Sequence, residues 1–371
     1  MRREGMERRI SRRGFLRLST AGLGTLNLFT WQSLWGVRQA WGANPSSITA
    51  TAYGGPWEKA VKANFVTCFK AKTGIDVNIL VGTPPEWLQK IMATYQRKPA
   101  IDVLLATSTF THQAIRLGLL EKLDEDKAPN LKDVPAIFKD PFEGYAASFD
   151  GGAWAIAYNK ERITNPPDTW EELVERIIRG EFGRRVMWPS INQTVGPEFV
   201  WLMAVTFGGS LENIDPGIQK IKEMKPYIAK FFSDMPSPGN ALVAGEVDLA
   251  IWADGRLWGL VKAGAKHLSF KYLKPKSPMT TVEWMKVKNS PDIAWEYLNC
   301  GFDPQAQWGF ISNFPGYFVT NRKVKYPPDH AALLDPTAAD FTFEHFVFAP
   351  YKEMAPLIPL WVEKWNKEIG A

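Results

Sequence analysis

The chain has 371 residues, with 44 Lys and Arg against 39 Asp and Glu and a formal net charge of +5. Residues 1–42 hold eight Arg and two Glu, a charge of +6, so residues 43–371 carry about −1. The basic balance therefore belongs to the first 42 residues and does not indicate a nucleic-acid-binding or membrane-surface protein.

The first 42 residues are typical of an export leader. Residues 11–17 read Ser-Arg-Arg-Gly-Phe-Leu-Arg, the order of a twin-arginine signal, and residues 18–37 contain no charge. The Ala-Trp-Gly at residues 40–42 suits a signal peptidase, so we expect cleavage near Gly42 and Ala43 and a periplasmic mature protein. A retained N-terminal helix is the alternative. No Cys follows the apolar run, so a lipid anchor is not indicated.

Side chains that are typical of enzyme active sites and metal centres are sparse in this sequence. The two cysteines, Cys68 and Cys300, form no CxxC pair, and a disulfide between them or two buried thiols are equal alternatives. The four His show no HxxxH or HExxH spacing, and no GxSxG motif occurs. We therefore expect no catalytic residues, no metal site and no cofactor.

Short β-rich runs alternate with helical patterns in the first part of the mature chain. The predicted strands are residues 48–53, 75–81 and 101–106, and the predicted helices are residues 57–72, 85–97 and 112–117. This order predicts a parallel sheet flanked by helices. Loops 54–56 and 107–109 then leave the carboxyl ends of strands, where open α/β sheets bind ligands.

The same alternation is repeated after residue 152. The predicted strands are residues 153–158, 185–188 and 247–252. A helix is predicted to begin at a capping box formed by Thr169 and Glu172. The later predicted helices are residues 197–207, 217–224, 239–244, 256–263, 291–299 and 354–368.

Five segments carry a family resemblance when they are taken together. They are TAYGGPW at 51–57, FKAKTGIDV at 69–77, GLLEKLD at 118–124, IAYNK at 156–160 and PPDTWEEL at 166–173. In this order and spacing the mature chain resembles the extracellular solute-binding proteins of ABC uptake transporters, in the branch that includes spermidine/putrescine-binding proteins.

The resemblance implies an α/β type II periplasmic binding fold. Each of two lobes is a mainly parallel sheet flanked by helices, and the lobes close on a solute in the cleft between them. Residues 43–150 and 279–320 are assigned to lobe 1, and residues 151–278 and 321–371 to lobe 2. The implied partners are a small-molecule solute and the permease subunits of an ABC transporter, and we expect a monomer.

The candidate ligand-binding residues of lobe 1 lie at strand ends or at the junction of the lobes. They are Tyr53, Gly55, Trp57, Thr107, Ser108, Thr109 and Asp150. The Gly55 backbone is able to approach a ligand closely beside helix N-terminal amides. Tyr53 and Trp57 either stack on a solute or pack in the core. One hydroxyl of residues 107–109 is expected to cap a helix while another faces the cleft.

The candidates of lobe 2 follow the predicted strands of that lobe. They are Asn192, Glu198, Trp252, Asp254 and Arg256. The resemblance assigns an acidic amine-binding position to Glu198 and a ligand-stacking position to Trp252, which we expect in the cleft rather than in the core. Asp254 and Arg256 either pair with each other or divide an ammonium and a carboxylate between them.

The chain departs from the polyamine binders near Thr280, also a candidate ligand-binding residue. Those proteins carry a Trp and an Asp here, whereas this chain has Pro278 and Thr280, with Glu283 close by. One fewer carboxylate argues against a long polyamine and favours a solute with one ammonium, a zwitterion such as an amino acid, or a carboxylate held by Arg256.

The sequence leaves two other functions as alternatives to solute binding. The first is an exported enzyme of unknown reaction, which the absence of a nucleophile and base pattern disfavours. The second is a ferric-ion-binding protein of the same fold, which the absence of an adjacent tyrosine pair disfavours.

Overall fold

The computed structural model describes residues 45–334 and 342–370. The twin-arginine segment and the expected cleavage site lie outside these residues. Within them, no helix combines the length and apolar character that a membrane span requires.

The strands of the described residues are numbered in chain order. They are β1 (Ser47–Ala52), β2 (Asp76–Val81), β3 (Val103–Thr107), β4 (Ala147–Asn159), β5 (Val186–Pro189), β6 (Ile228–Phe232), β7 (Leu249–Ala253), β8 (Leu268–Lys271), β9 (Ser277–Lys286), β10 (Phe318–Val319) and β11 (Phe346–Val347).

The α-helices are numbered in the same way. They are α1 (Pro56–Val61), α2 (Thr67–Thr73), α3 (Pro84–Thr94), α4 (Ser108–Arg116), α5 (Trp170–Ile178), α6 (Gly196–Thr206), α7 (Asp215–Met224), α8 (Pro236–Val243), α9 (Asp254–Lys262), α10 (Ala294–Gly301), α11 (Pro304–Ile311), α12 (Pro328–Ala331), α13 (Tyr351–Met354) and α14 (Ile358–Glu368). A π-helical turn, Lys62–Val66, joins α1 to α2.

The strands run in the order β2-β1-β3-β9-β4-β7-β5-β6, and β8 and β10 also pair with β4. The parallel sheet predicted for the first part of the mature chain is confirmed, since β1 is parallel to both β2 and β3. Strands β5, β6 and β7 form a second parallel group. The sequence patterns did not predict β9, which is antiparallel to both β3 and β4.

Two hydrophobic cores lie on either side of the crossing strands β4 and β9. The first core draws on residues 48–153 and 279–346, and the second on residues 154–273 and 349–369. Within β4 the change occurs between Ala153 and Trp154. Val324 and Phe343 pack in the first core, although the sequence assigns residues 321–371 to lobe 2. The lobe boundaries themselves stay predictions.

The start of one helix and the capping of another differ from the sequence predictions. Helix α4 begins at Ser108 rather than residue 112, and Thr107 is its N-cap residue without a side-chain cap hydrogen bond. At α5, the Thr169 hydroxyl accepts from the Glu172 N–H at 3.1 Å, as the capping box predicts. The Glu172 carboxylate accepts from the Asp168 N–H at 2.8 Å instead of from Thr169.

A disulfide joins Cys68 on α2 to Cys300 on α10. The two cysteines are 232 residues apart in sequence, with their Cα atoms 5.9 Å apart. Of the two alternatives left by the sequence, the structure therefore has the bonded one. A disulfide of this kind persists in an oxidising compartment.

We expect the disulfide to contribute to stability by restricting the unfolded chain. Removing it in the C68A/C300A variant should lower the free energy of unfolding by about 2–5 kcal/mol, because the bond closes a long loop. Urea unfolding with and without reductant measures this effect. Reductant should destabilise the wild type and leave C68A/C300A unchanged. A wild-type midpoint that does not respond to reductant would contradict the prediction.

Candidate functional site

The candidate site lies where the crossing strands meet the carboxyl ends of β1, β3 and β7. Thr107 ends β3 and Tyr53 follows β1. Asp254 follows β7 and begins α9. Asp150 lies within β4, opposite Val282 of β9. Segments far apart in sequence therefore converge on one region between the two cores.

Glu283 on β9 is the centre of a hydroxyl cluster. Its Oε1 accepts hydrogen bonds from Thr281 at 2.5 Å, Ser108 at 3.1 Å and Ser148 at 3.3 Å. Its Oε2 accepts from Thr111 at 2.8 Å. The side chain is fully buried. Four hydroxyls from α4, β4 and β9 thus hold one carboxyl group in place.

Burial raises the pKa of Glu283 to about 8, although the hydroxyl hydrogen bonds act in the opposite direction. The neighbouring Asp150 is 2% exposed. Its pKa is raised well above the ordinary value, first by burial and then by the charge of Glu283, while the Val282 N–H lowers it. Asp150 Oδ1 has no hydrogen-bond partner among the described residues.

Asp254 forms a second buried acid at the start of α9. Its Oδ2 accepts from the Ala153 N–H at 2.9 Å and the Tyr272 hydroxyl at 3.0 Å, and its Oδ1 accepts from the Gly255 N–H at 2.6 Å. Burial nevertheless raises the pKa of Asp254 to about 7. Its hydrogen bonds link the crossing strand β4 to α9.

Glu198 contributes a further buried acid from the first turn of α6. Burial raises its pKa to about 7, and a hydrogen bond from the Tyr351 hydroxyl opposes this rise. Its Oε2 has no partner within residues 45–334 and 342–370. Burial also raises the pKa of Tyr351, and the charges of Glu198 and then Glu283 raise it further. Tyr351 therefore lies between these two acids.

Tyr53 and Trp57 form an aromatic wall beside the acids. Burial raises the pKa of Tyr53, and the charges of Glu283 and Asp150 raise it further. Its ring centroid lies 5.7 Å from that of Trp57. Trp57 also packs edge to face on Phe310 at 4.9 Å, so this ring belongs largely to the first core.

The structure corrects the expected position of Trp252. This side chain is 3% exposed and belongs to the second core. Its indole N–H donates to the Met235 carbonyl at 3.0 Å, and a Cβ placed on Gly239 would lie 2.4 Å from its ring. Trp252 thus packs beneath α8 with its polar atom satisfied, rather than facing the cleft.

The sequence leaves a pair with Asp254 as one of two alternatives for Arg256, and Arg256 does not form this pair. It is exposed, and it hydrogen-bonds the hydroxyl of Tyr317. No ion pair is recorded within the described residues between Arg256 and Asp254, which instead accepts from Ala153, Gly255 and Tyr272. The two side chains therefore have separate partners.

The remaining candidates differ in their burial. Ser108 is buried against Glu283, and Thr107 is half-buried with a hydroxyl that has no partner among the described residues. Thr109 and Thr280 are half-buried, Gly55 is exposed at the N-cap of α1, and Asn192 is exposed.

Several residues of the candidate site carry little signal in the sequence. Glu283, which lies close to Thr280 in the sequence, is buried on β9 and supplies an acid in this stretch. Tyr351 and Tyr317 were missed because they reach the site from segments without a strand-end signal. A lone Glu among the apolar residues of 282–285 was the available hint, since a buried acid requires partners.

None of the four acids Asp150, Glu198, Asp254 and Glu283 has an ion-pair partner among the Lys, Arg and His residues of the described chain. No group of three or more His, Cys, Asp or Glu in that part of the chain is arranged to hold a metal ion. Burying uncompensated carboxylates is costly, so these groups favour protons or a cationic ligand.

Residues 64–333 match the family model described as bacterial extracellular solute-binding protein. The match covers more than half of the chain, so the chain belongs to this family. The resemblance inferred from sequence is thereby confirmed. Members of the family bind small-molecule solutes and work with ABC transporter permeases.

The spermidine/putrescine-binding periplasmic protein of Salmonella typhimurium is 23% identical over 232 residues, which cover 59% of this chain and 63% of that protein. The matched segment therefore spans less than two thirds of this curated relative. Its periplasmic location agrees with the location expected for this chain.

Two solved structures share the fold. An extracellular solute-binding protein from Bordetella parapertussis aligns with a TM-score of 0.76 at 24% identity, covering 87% of this chain and 99% of that one. An ABC transporter protein from Clostridium perfringens aligns with a TM-score of 0.74 at 19% identity, covering 86% and 99%. The chain has the two-lobed periplasmic binding fold that the sequence predicts.

The raised pKa of Glu283 predicts a pH-dependent stability. The ordinary pKa is 4.5 and the folded value is about 8, so between these values the folded protein retains a proton that the unfolded chain releases. Stability therefore falls as pH rises through this window, by about 1.4 kcal/mol per pH unit for one group. The E283Q variant should show a flatter dependence in urea unfolding between pH 5 and pH 8.

The control is E161Q, which changes an exposed acid. Its stability should follow the wild-type pH dependence. Parallel curves for E283Q and the wild type would show that Glu283 is ionised in both states, contrary to the prediction.

Proposed function

We propose that this chain is the periplasmic solute-binding protein of an ABC uptake transporter and that its solute is a small organic cation with at least one ammonium group. The cation binds between the two cores, among the buried acids. The family membership supports the transport role, and the name of the Salmonella relative places putrescine and spermidine among the solutes to test.

The observation that carries the proposal is an excess of buried carboxyl groups without a protein cation. Asp150 Oδ1 and Glu198 Oε2 are buried acceptors without hydrogen-bond partners in the described residues. An ammonium group supplies three donors and a positive charge. It therefore offers these oxygens hydrogen bonds together with charge compensation.

The lining of the site suits the carbon skeleton of an amine. The Tyr53 ring lies beside Asp150 and Glu283, which gives a cation an aromatic face next to carboxyl oxygens. Ser108 and the Thr107 hydroxyl provide polar groups at the end of β3. Asp254 and Glu198 add acids from the second core. We assign these residues as the principal ligand contacts.

The position of Glu283 alters the choice of solute. Thr280 replaces an acid of the polyamine binders, which by itself disfavours a long polyamine. Glu283 lies three residues further along β9 and adds a carboxyl group near Asp150. Charge matching thus allows a diamine as well as a solute with one ammonium.

Several further properties are part of the proposal. The two lobes follow the two cores and close on the solute, and the protein acts as a monomer without catalytic turnover. It reaches the periplasm by the twin-arginine route, with its leader removed near Gly42 and Ala43. It delivers the solute to permease subunits of the inner membrane.

A ligand screen tests the charge of the solute. Putrescine or spermidine should raise the melting temperature by mass action, whereas succinate and glycine betaine should not. A charge-assisted hydrogen bond contributes about 1.5–3 kcal/mol, so D150N should weaken binding of the stabilising amine by roughly 10- to 100-fold in calorimetry.

The matched control for D150N is D126N, because the Asp126 side chain is 91% exposed. Its affinity should equal that of the wild type. Stabilisation by succinate without stabilisation by any amine would contradict a cationic solute. Hydrolytic activity without stabilisation by any solute would contradict the transport role as well.

Binding of a cation should also depend on pH. The raised pKa values of Glu198 and Asp254, both about 7, and of Glu283, about 8, mean that these groups carry protons near neutrality. A cation binds the ionised forms, so its affinity should rise from pH 6 to pH 8, by up to about tenfold per pH unit for each proton released. Calorimetry in buffers of different ionisation enthalpy measures the proton release, and its absence would contradict this prediction.

A further inference from the structure

The turn formed by Gly316 and Tyr317 packs directly on α9. Gly316 has a φ of +86°, and a Cβ placed on it would lie 2.2 Å from Cδ1 of Trp258. Only glycine combines this backbone conformation with so close an approach. The turn is therefore built to bring its backbone against the Trp258 ring.

The ring of Tyr317 lies in a notch formed by Gly152 and Gly255. A Cβ on Gly152 would lie 2.5 Å from Cδ1 of the ring, and a Cβ on Gly255 would lie 2.3 Å from the same atom. Both distances are shorter than van der Waals contact allows. Any larger residue in the Gly152/Gly255 notch would displace the ring.

This contact joins the two cores. Tyr317 packs against the first core, and its carbonyl bonds His330 Nε2 at 2.8 Å. Helix α9 belongs to the second core through the buried Leu257. Arg256 on the same helix bonds the Tyr317 hydroxyl. One tyrosine from the first core thus contacts both the backbone and a side chain of α9.

The notch also lies where β4 passes from one core to the other. Gly152 pairs with Thr280 of β9, whereas Trp154, two residues further on, pairs with Ala253 of β7. A relative movement of the cores about this crossing would change the distance between Tyr317 and Gly255. At Gly255 the ring lies on bare backbone, and the Tyr317 hydroxyl bonds the exposed side chain of Arg256, so the contact is able to separate without repacking either core.

The pairing of Phe318 with Gly151 holds Tyr317 over Gly152 in the ladder between β10 and β4. We propose that Tyr317 and Gly255 form a closure latch, which engages when the two cores approach and releases when they separate. The proposal rests on the proposed function, because a solute-binding protein must open to exchange its solute. Gly255 acts here as a positioning residue for the Tyr317 ring, because the absence of a side chain lets the ring contact the backbone of α9.

A cysteine pair tests the latch without a solute. The Cβ position of Gly255 lies 2.7 Å from Tyr317 Cγ, so the two Cβ atoms are at most about 4.2 Å apart, within the range of a disulfide. In oxidised glutathione, G255C/Y317C should form this bond as the two thiols reduce the glutathione disulfide. The matched control G259C/Y317C should not form it, because Gly259 has no atom within 4 Å of its Cβ position.

Peptide mass spectrometry identifies the new bond beside Cys68–Cys300. Small-angle X-ray scattering should show a smaller radius of gyration for the crosslinked protein than for the same variant before oxidation. Absence of the crosslink in folded G255C/Y317C, or a crosslink with no change in radius, would overturn the latch. Because no solute is added, these results are independent of the ligand screen.

A second comparison applies if circular dichroism shows that G255C/Y317C does not fold. Hydrogen exchange of the Ala153 amide, which donates to Asp254 beside the notch, is compared in G255A and G259A. Displacement of Tyr317 should accelerate this exchange at least tenfold in G255A and leave it unchanged in G259A. Equal exchange rates in the two variants would overturn the proposal.

Discussion

The antiparallel pairing of β4 with β9 is the constraint on which the rest of the structure depends. The ladder runs from Ala147 opposite Trp284 to Ala153 opposite Met279. Beyond it, β4 continues into the second core and pairs with β7 and β8. Because one strand serves both cores, the ladder sets the distance between them. It also places Asp150 and Glu283 on neighbouring strands between the cores.

The electrostatics of the site follow from that placement. A carboxyl group on a crossing strand is removed from water by both cores, and burial is the first cause of the raised pKa at Asp150 and Glu283. Four hydroxyls compensate Glu283, whereas one oxygen of Asp150 has no partner among the described residues. Under the proposal of a cationic solute, the burial that makes these acids costly also strengthens their attraction to the ligand.

The glycines near the crossing have a complementary role. Asp254 accepts from the backbone of Ala153 and Gly255, so α9 starts directly against β4. The absence of side chains at Gly152 and Gly255 leaves room for the Tyr317 ring. The buried acid Asp254 and the contact between the cores therefore depend on the same few residues of β4 and α9.

Local sequence patterns named some residues of the candidate site, but they placed Trp252 differently from the structure and gave little signal for Glu283. Strand-end reasoning named Tyr53, Ser108 and Asp254 as candidates, because a strand and the loop after it are adjacent in sequence. The same reasoning put Trp252 in the cleft, but the direction of its ring depends on α8, which the pattern around residue 252 does not describe. Glu283 lacked a strand-end signal, and its strand β9 was itself not predicted.

The amino-acid sequence by itself determined the alternation of strands and helices, the parallel order of the first sheet and the family resemblance, because hydrophobic periodicity and turn residues act over short distances. Tertiary structure decided that Cys68 is bonded to Cys300, that Trp252 is core, and that Glu283 and Tyr351 join the site. Each of these features depends on side chains from segments that are distant in the chain. The packing of whole helices and strands brings these side chains together, and their neighbours in the sequence do not determine it.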